Sequence, residues 1–334
     1  MDESEHRQAQ VQQALASADL QAARGYVFHW LNDWASSLSV HPQRAELRQP
    51  KLWNCLADVV ERTSDHYLIE RLWQLLERLP PPPPASSALP LLGIPILNRA
   101  DLLLDLLDSL DHPVSTLAIV DNSSSTDTGP GGTVASQLAA LRQLGHPLID
   151  TIRIARPFRN LGVAASWNII LSSFPEASVA LLANNDVRFA PGVIEGALNR
   201  IDTAHPQFLT LLPEPNGFSA FLLTALCWDR IGLFDPGFHP AYGEDLDYRD
   251  RLRATPDVEW LPGGEAHSAM AALNATHSAT IGSDPWLEEQ NRASFALNRL
   301  WYFSQRRIRG DYRGSWRRLW LAQWSENPDP EPKT

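Results

Sequence analysis

Glu244 and Asp245 are adjacent carboxylates placed directly after Gly243, at the head of the acidic run Gly243-Glu244-Asp245-Leu246-Asp247. Neighbouring carboxylates make each other harder to ionise, and a carboxylate with useful proton affinity near neutral pH can serve as a general base. Asp247 and Asp250, farther along, read as helix-start residues favoured by the macrodipole, an effect of a few tenths to about 1 kcal/mol. Upstream, polar residues follow short apolar runs: Pro95-Ile96-Leu97-Asn98-Arg99, Asp121-Asn122, Arg159-Asn160-Leu161-Gly162 with Asn168 beyond it, and Asn184-Asn185-Asp186. A carboxylate such as Asp121 can accept a hydrogen bond from a base imide N–H, while amides and arginines hold ribose and phosphate oxygens. Gly162 would allow close backbone approach at a helix N-terminus. Taken singly, Asp or Asn after a strand is also an ordinary turn residue. Four such groups in order point to one nucleotide. His267 and His277 follow, and two histidines downstream of a carboxylate strand end bring a metal-ligand role into view.

The elements that must carry these groups alternate. Leu91–Leu97, Leu117–Val120 and Val179–Ala183 are apolar runs of strand length, and Ile149–Ile154 also looks like a strand. Asp101–Leu110, Gln137–Leu144 and Val163–Leu171 have helical spacing between them. Alternating strands and helices predict an α/β unit, with a mostly parallel sheet flanked by helices and right-handed crossovers. Ligands of such sheets lie at the carboxyl ends of the strands, where this sequence is polar. There is no Gly-x-Gly-x-x-Gly after the first strand, no Gly-x-x-x-x-Gly-Lys-Ser/Thr and no Gly-x-Ser-x-Gly. The usual dinucleotide, P-loop and serine-elbow readings therefore fall away.

The rest of the 334 residues divides around this unit. Residues 1–79 show helical stripes and no strand alternation, which predicts a separate N-terminal all-α domain of three or four helices. Pro80–Pro84 opens a stiff Pro-rich linker over 80–88. The α/β domain is expected over 89–290, a basic and aromatic helical extension over 291–326, and a disordered Pro/acidic tail over 327–334. Net charge is −11 overall, but −3 over 1–85, −13 over 86–290 and +5 over 291–334. The acidity argues against a nucleic-acid partner. The basic, Trp-rich extension fits either a helix packed on the acidic domain or one lying at an anionic membrane surface. Two cysteines, Cys55 and Cys227, exclude a disulfide scaffold and fit a reducing compartment. Met1–His6 lacks a signal-peptide core, and the longest apolar run, Ala220–Trp228, is far below the roughly 20 residues a spanning helix needs. The expectation is a cytoplasmic protein, either soluble or peripheral to the inner face of the membrane.

Ile94–Arg99, Val120–Ser124, Arg159–Ala164, Leu182–Val187 and Gly243–Asp247 together resemble the family 2 glycosyltransferases of the GT-A fold, in their bacterial rhamnosyltransferase-like branch. The resemblance spans about residues 90–282 and leaves out the N-terminal helices. It implies a hexosyltransferase-type enzyme of glycan biosynthesis, moving a sugar with inversion from a UDP- or dTDP-sugar to a hydroxyl of a glycan, lipid-linked or protein acceptor. It also implies roles by position. Asp121 would contact the base, with Pro95, Asn98 and Arg99 lining the nucleotide pocket. Arg159 and Asn160 would sit near ribose or diphosphate, and Asn122, Gly162, Asn168, Asn184 and Asn185 would complete the nucleotide-sugar site. Asp186 and His277 would hold a divalent cation (Mg2+ or Mn2+), and Asp245, beside Glu244, would be the base. Asn184 and Asn185 stand where the family carries acidic residues, which leaves one carboxylate there for a metal. A non-catalytic nucleotide-sugar or glycan-binding module, recruiting a partner through the N-terminal helices, is the alternative. A nucleotidyltransferase fits less well, because no Gly- and Lys/Arg-rich triphosphate loop is present.

Overall fold

The computed structural model describes residues 3–38, 47–76, 88–124, 128–129, 131–274 and 285–307. His277, residues 80–87 of the expected linker and everything from 308 onward lie outside the described residues. The chain divides into two compact units, Met1–Pro83 and Pro84–Thr334.

The first unit is all-helical, as expected. Its described helices are α1 (Glu3–Ala16), α2 (Leu20–Ser37), α3 (Pro50–Thr63) and α4 (His66–Leu76). Val11, Leu15, Val27, Leu31, Leu52, Cys55, Val59 and Leu68 meet in its core. The Asp19 carboxylate accepts the Ala22 N–H at 3.0 Å and starts α2. Ala23, Val27, Trp30 and Leu31 form the buried stripe of α2, while Leu20, in its first turn, is exposed.

The second unit is built on a sheet. In chain order its elements are β1 (Leu89–Ile96), α5 (Ala100–Asp108), β2 (Val114–Asp121), a small hairpin of β3 (Thr128–Gly129) and β4 (Gly132–Thr133), α6 (Val134–Leu144), β5 (Ile149–Ala155), α7 (Gly162–Ser173), β6 (Val179–Ala183), α8 (Val193–Leu198), β7 (Gln207–Thr210), β8 (Ala220–Thr224), α9 (Ala225–Ile231), α10 (Glu244–Ala254), β9 (Glu259–Leu261), α11 (Glu265–Leu273) and α12 (Pro285–Arg307). The sheet order is β5-β2-β1-β6-β8-β7-β9, with β8 antiparallel to both neighbours and the other pairings parallel. Side chains alternate between two cores. Leu181 and Ala183 of β6 face one, with α5, α6 and α8; Ala180 and Leu182 face the other, with α7, α9 and α10. Gly93 of β1 has no side chain because Ile170 of α7 and Leu182 occupy the space a Cβ would need, 2.7 and 2.5 Å away. α12 runs unbroken through residue 290, where the extension was expected to begin.

The strands β7, β8 and β9 add to the four anticipated from the sequence. The apolar run from Ala220 conceals a change of element at Thr224. Its buried hydroxyl accepts the Cys227 N–H at 3.2 Å to start α9, accepts the Gln207 N–H at 3.0 Å, and donates to the His205 carbonyl at 2.8 Å. Thr224→Val preserves the shape and leaves all three groups unpaired. It is expected to cost about 2–3 kcal/mol, read as a lower urea midpoint at unchanged m-value. Among the described residues no helix is long and apolar enough to cross a membrane.

Candidate functional site

The sheet order brings the carboxyl ends of β5, β2, β1 and β6 side by side. These four ends carry the polar groups that the sequence presents one after another. The register pairs Ile96 at the end of β1 with Asp121 at the end of β2. Asp121 is buried; its Oδ1 accepts the Ser123 N–H at 3.0 Å, and its Oδ2 lies 3.9 Å from Arg156 Nε. Arg156 also donates to the Ser123 carbonyl at 3.1 Å. Asp121 and Arg156, with Leu138, Arg142, Gln143 and Ile154, line a cavity of about 480 Å3. Arg156 and Arg142 are not among the residues singled out from the sequence. The available signal was position, since Arg156 directly follows Ala155, the last residue of β5.

On β1, Pro95 is a buried strand residue opposite Val120, beyond the point where pairing with β6 ends at Gly93. A residue without an N–H is tolerated there. Asn98 has a left-handed φ of 64° and donates its N–H to Ser123 Oγ at 2.8 Å; its Oδ1 is buried and has no hydrogen-bond partner among the described residues. Arg99 is engaged two-pronged with Asp101, at 2.8 and 2.6 Å, and holds that carboxyl below its ordinary range.

A second group holds the fold around the site. The Asn122 side chain donates to Ser166 Oγ and accepts the Leu161 N–H, both at 2.9 Å, which ties β2 to the start of α7. Asn160 Oδ1 accepts the Gly162 N–H at 2.8 Å. Asn168 clasps the backbone of Phe234 through its carbonyl oxygen and amide, at 2.9 and 2.8 Å. Arg159 is exposed. Gly162 faces Pro240, and its neighbour Val163 donates to the Pro240 carbonyl at 2.7 Å. Burial pushes the imidazole of His239 down to about 4, with the Arg159 charge acting in the same sense.

At the end of β6, the Asn184 N–H donates to the Ser219 carbonyl at 2.8 Å. Buried Asn185 donates to the Arg99 carbonyl at 3.1 Å and so joins the ends of β1 and β6. Asp186 is half-buried beside them. Among the described residues no three His, Cys, Asp or Glu side chains gather as a metal cage. His267 packs against Gly263 and lies 3.0 Å from the Thr210 carbonyl, on the β7 side. A hard cation that takes most of its oxygens from a diphosphate and water needs one or two protein carboxylates. Asp186, half-buried at the end of β6, is the carboxylate this edge could offer such a cation.

Asp245 and Glu244 open α10 behind Gly243, whose φ is 97°. Asp245 is half-buried, and its Oδ1 accepts the Gly243 N–H at 3.1 Å. Glu244 is buried and its Oε2 has no hydrogen-bond partner among the described residues; burial, and then the Asp245 charge, push its carboxyl up to about 8. Protonated Glu244 therefore favours the fold. That contribution is complete below its ordinary value of 4.5 and is lost as pH rises through about 8. Glu244→Gln removes the dependence. The stability of the variant relative to the parent chain should rise between pH 5 and pH 9, as measured by urea midpoints across that range. Asp247 lies in the first turn of α10, as expected, and pairs with Arg251 at 2.9 Å, whereas Asp250 lies beyond that turn and accepts the hydroxyl of Tyr302 on α12. Asn298 and Trp301 of α12, each 2% exposed, also reach this loop.

No family model and no curated protein matches the chain. Solved structures do show likeness. Residues 1–349 of TarS from S. aureus share 14% identity, with 68% of this chain and 77% of that one covered and a TM-score of 0.39. GalNAc-T7, in a structure with UDP, GalNAc and Mn2+, shares 10%, over 53% of this chain and 43% of that one, with a TM-score of 0.41. The inositol-1-phosphate CTP transferase from T. maritima shares 12%, over 54% and 87%, with a TM-score of 0.33. At these values the function of this chain has to be argued from its own residues.

Proposed function

We propose that the second unit is an inverting glycosyltransferase that moves a sugar from a UDP- or dTDP-sugar to an acceptor hydroxyl. The observation that carries this reading is the sheet order, which sets the ends of β5, β2, β1 and β6 along one edge. Along that edge a buried carboxylate and an arginine border a cavity, and Asp186 stands two strands away from Asp121. Asp121 Oδ2 can accept an imide N–H, while Arg156 and Arg142 supply donors for carbonyl, ribose or phosphate oxygens. The resemblance in the short motifs supports the same assignment.

In the reaction, the acceptor oxygen bonds to C1 of the sugar as the bond from C1 to the diphosphate oxygen breaks on the opposite face. Asp245 takes the hydroxyl proton, and the nucleoside diphosphate leaves with the electron pair. Half-buried Asp245 can meet an acceptor, whereas buried Glu244 stays protonated at neutral pH and supports the loop. A bound divalent cation, held by Asp186, would neutralise charge on the departing diphosphate. The acceptor is a glycan, lipid-linked or protein hydroxyl, and the reaction is placed in the cytoplasm.

A panel of UDP-, dTDP- and GDP-sugars, with Mg2+ or Mn2+ present, tests this through release of nucleoside diphosphate. Slow hydrolysis of a UDP- or dTDP-sugar is expected without acceptor. Donor binding by calorimetry with no release from any donor would favour the non-catalytic binding module. Neither binding nor release would overturn both readings.

A further inference from the structure

We infer that Asn298 is a positioning residue for Asp245, and that α12 belongs to the working parts of the site rather than to an appended tail. The inference rests on the sugar-transfer reading above. Asn298 is 2% exposed, and its side chain is satisfied entirely by the backbone of one loop. Its Nδ2 donates to the carbonyls of Ala241 at 2.8 Å and Tyr242 at 2.9 Å, and its Oδ1 accepts the His239 N–H at 3.3 Å. A buried amide is costly unless every polar atom is paired, so an asparagine satisfied this way specifies the loop's geometry as well as filling space.

The loop it holds is an unfavourable one. Tyr242 has a φ of 75° and Gly243 one of 97°. A left-handed non-glycine residue is unfavourable and persists only when its surroundings over-determine it. The Gly243 N–H then donates to Asp245 Oδ1. Asn298 thus fixes two carbonyls immediately before the amide that orients Asp245. Neighbouring contacts from the same helix agree. Trp301 Nε1 donates to Asp235 Oδ2 at 3.0 Å, Asp235 Oδ1 accepts the Gly237 N–H at 2.8 Å, and Gly237 lies so close to the indole that a Cβ would sit 2.3 Å from Nε1. The Tyr242 ring meets Phe295 edge-on at 5.8 Å. Phe295, Asn298 and Trp301 follow a three-residue spacing that keeps them on adjacent parts of one helix face. The donor-side residues Asp121, Arg156 and Asp186 have no part in this set.

The test uses the full chain with Asn298→Ala, alone and combined with Asp245→Asn. It has two readouts: nucleoside diphosphate release, and backbone hydrogen exchange over residues 239–247. Asn298→Ala should speed exchange in that segment by about tenfold or more and leave β1 and β2 unchanged. It should lower kcat by about 10–100-fold with donor KM within about twofold, the signature of misplacement without loss of binding. In the Asp245→Asn background the same change should lower the residual rate by less than about twofold, since the two residues act through one group. If Asn298→Ala does not fold, Trp301→Phe, which keeps an aromatic ring and loses the N–H to Asp235, should show the same pattern at about threefold. Unchanged exchange overturns the clamp whatever the activity. Faster exchange with an unchanged kcat, or equal losses in both backgrounds, reduces Asn298 to a structural residue and overturns the inference. A parent chain inactive on every donor sinks the sugar-transfer reading and the positioning role with it, while exchange still reports separately whether the clamp exists.

Discussion

Asp245→Asn is expected to lower nucleoside diphosphate release by about 10²- to 10⁴-fold, the range over which a positioned general base contributes. Asparagine keeps the size of the side chain and can keep an oxygen facing the Gly243 N–H, which Asp245 Oδ1 accepts at 3.1 Å. It removes proton affinity and little else, so the start of α10 should survive. Donor affinity by calorimetry should stay within about twofold, because the loss falls on an interaction made only in the transition state. Glu244→Gln is the informative contrast. Glu244 carries a proton at neutral pH and is buried, so an amide there replaces one neutral group with another. Its rate loss should be below about tenfold. If Glu244→Gln were the inactive variant and Asp245→Asn the active one, the assignment of the base would be reversed. If both retained full activity, the loop would not be catalytic.

Much of this arrangement is legible before any coordinates, for physical reasons that vary along the chain. β1, β2 and β6 lie inside the sheet, are mostly buried on both faces and so read as continuous apolar runs, whereas β5, at the edge, shows as isoleucines spaced by polar residues. β7 and β9 have four and three residues, too short to show a period, and β8 shares one apolar run with α9. The strand-end rule finds Asp121 and Asn184–Asp186. It would also have found Arg156, had it been applied at Ala155 rather than at the more conspicuous Arg159-Asn160 pair. What sequence pattern cannot show is which polar groups spend their hydrogen bonds inside the protein. Asn122, Asn168 and Asn298 are of one residue type, and each is engaged with a backbone or hydroxyl distant in the chain. Composition leaves two readings open for the basic, aromatic segment, and over α12 the packed one matches: Trp301 is buried against Gly237 and Asn298 carries a loop.

Gly162 shows the same divide and leads to the other large expected effect. A glycine opening a helix after Asn160 reads as room for a ligand, and the structure shows the space filled by the protein itself. Its φ is 77°, and a Cβ would lie 2.5 Å from the Pro240 carbonyl oxygen and 2.8 Å from Pro240 Cα. Both contacts are backbone, so no side chain can rotate away. Gly162→Ala is therefore expected to cost about 3–4 kcal/mol, combining a left-handed alanine with an overpacked contact. Gly192 separates the two contributions, since it is left-handed with a φ of 74° and nothing lies within 4 Å of a Cβ built there. Gly192→Ala should cost only about 1 kcal/mol, the conformational part alone. Urea midpoints of the two variants against the parent chain give the comparison. Equal losses would mean that the approach to Pro240 contributes nothing, and that α7 and the 239–243 loop are independent. Unequal losses would mean that the start of α7 and the 239–243 loop are held together by the approach of Gly162 to Pro240. A ligand-free displacement at Gly162 should then lower turnover by moving the base, even at temperatures where the variant remains folded.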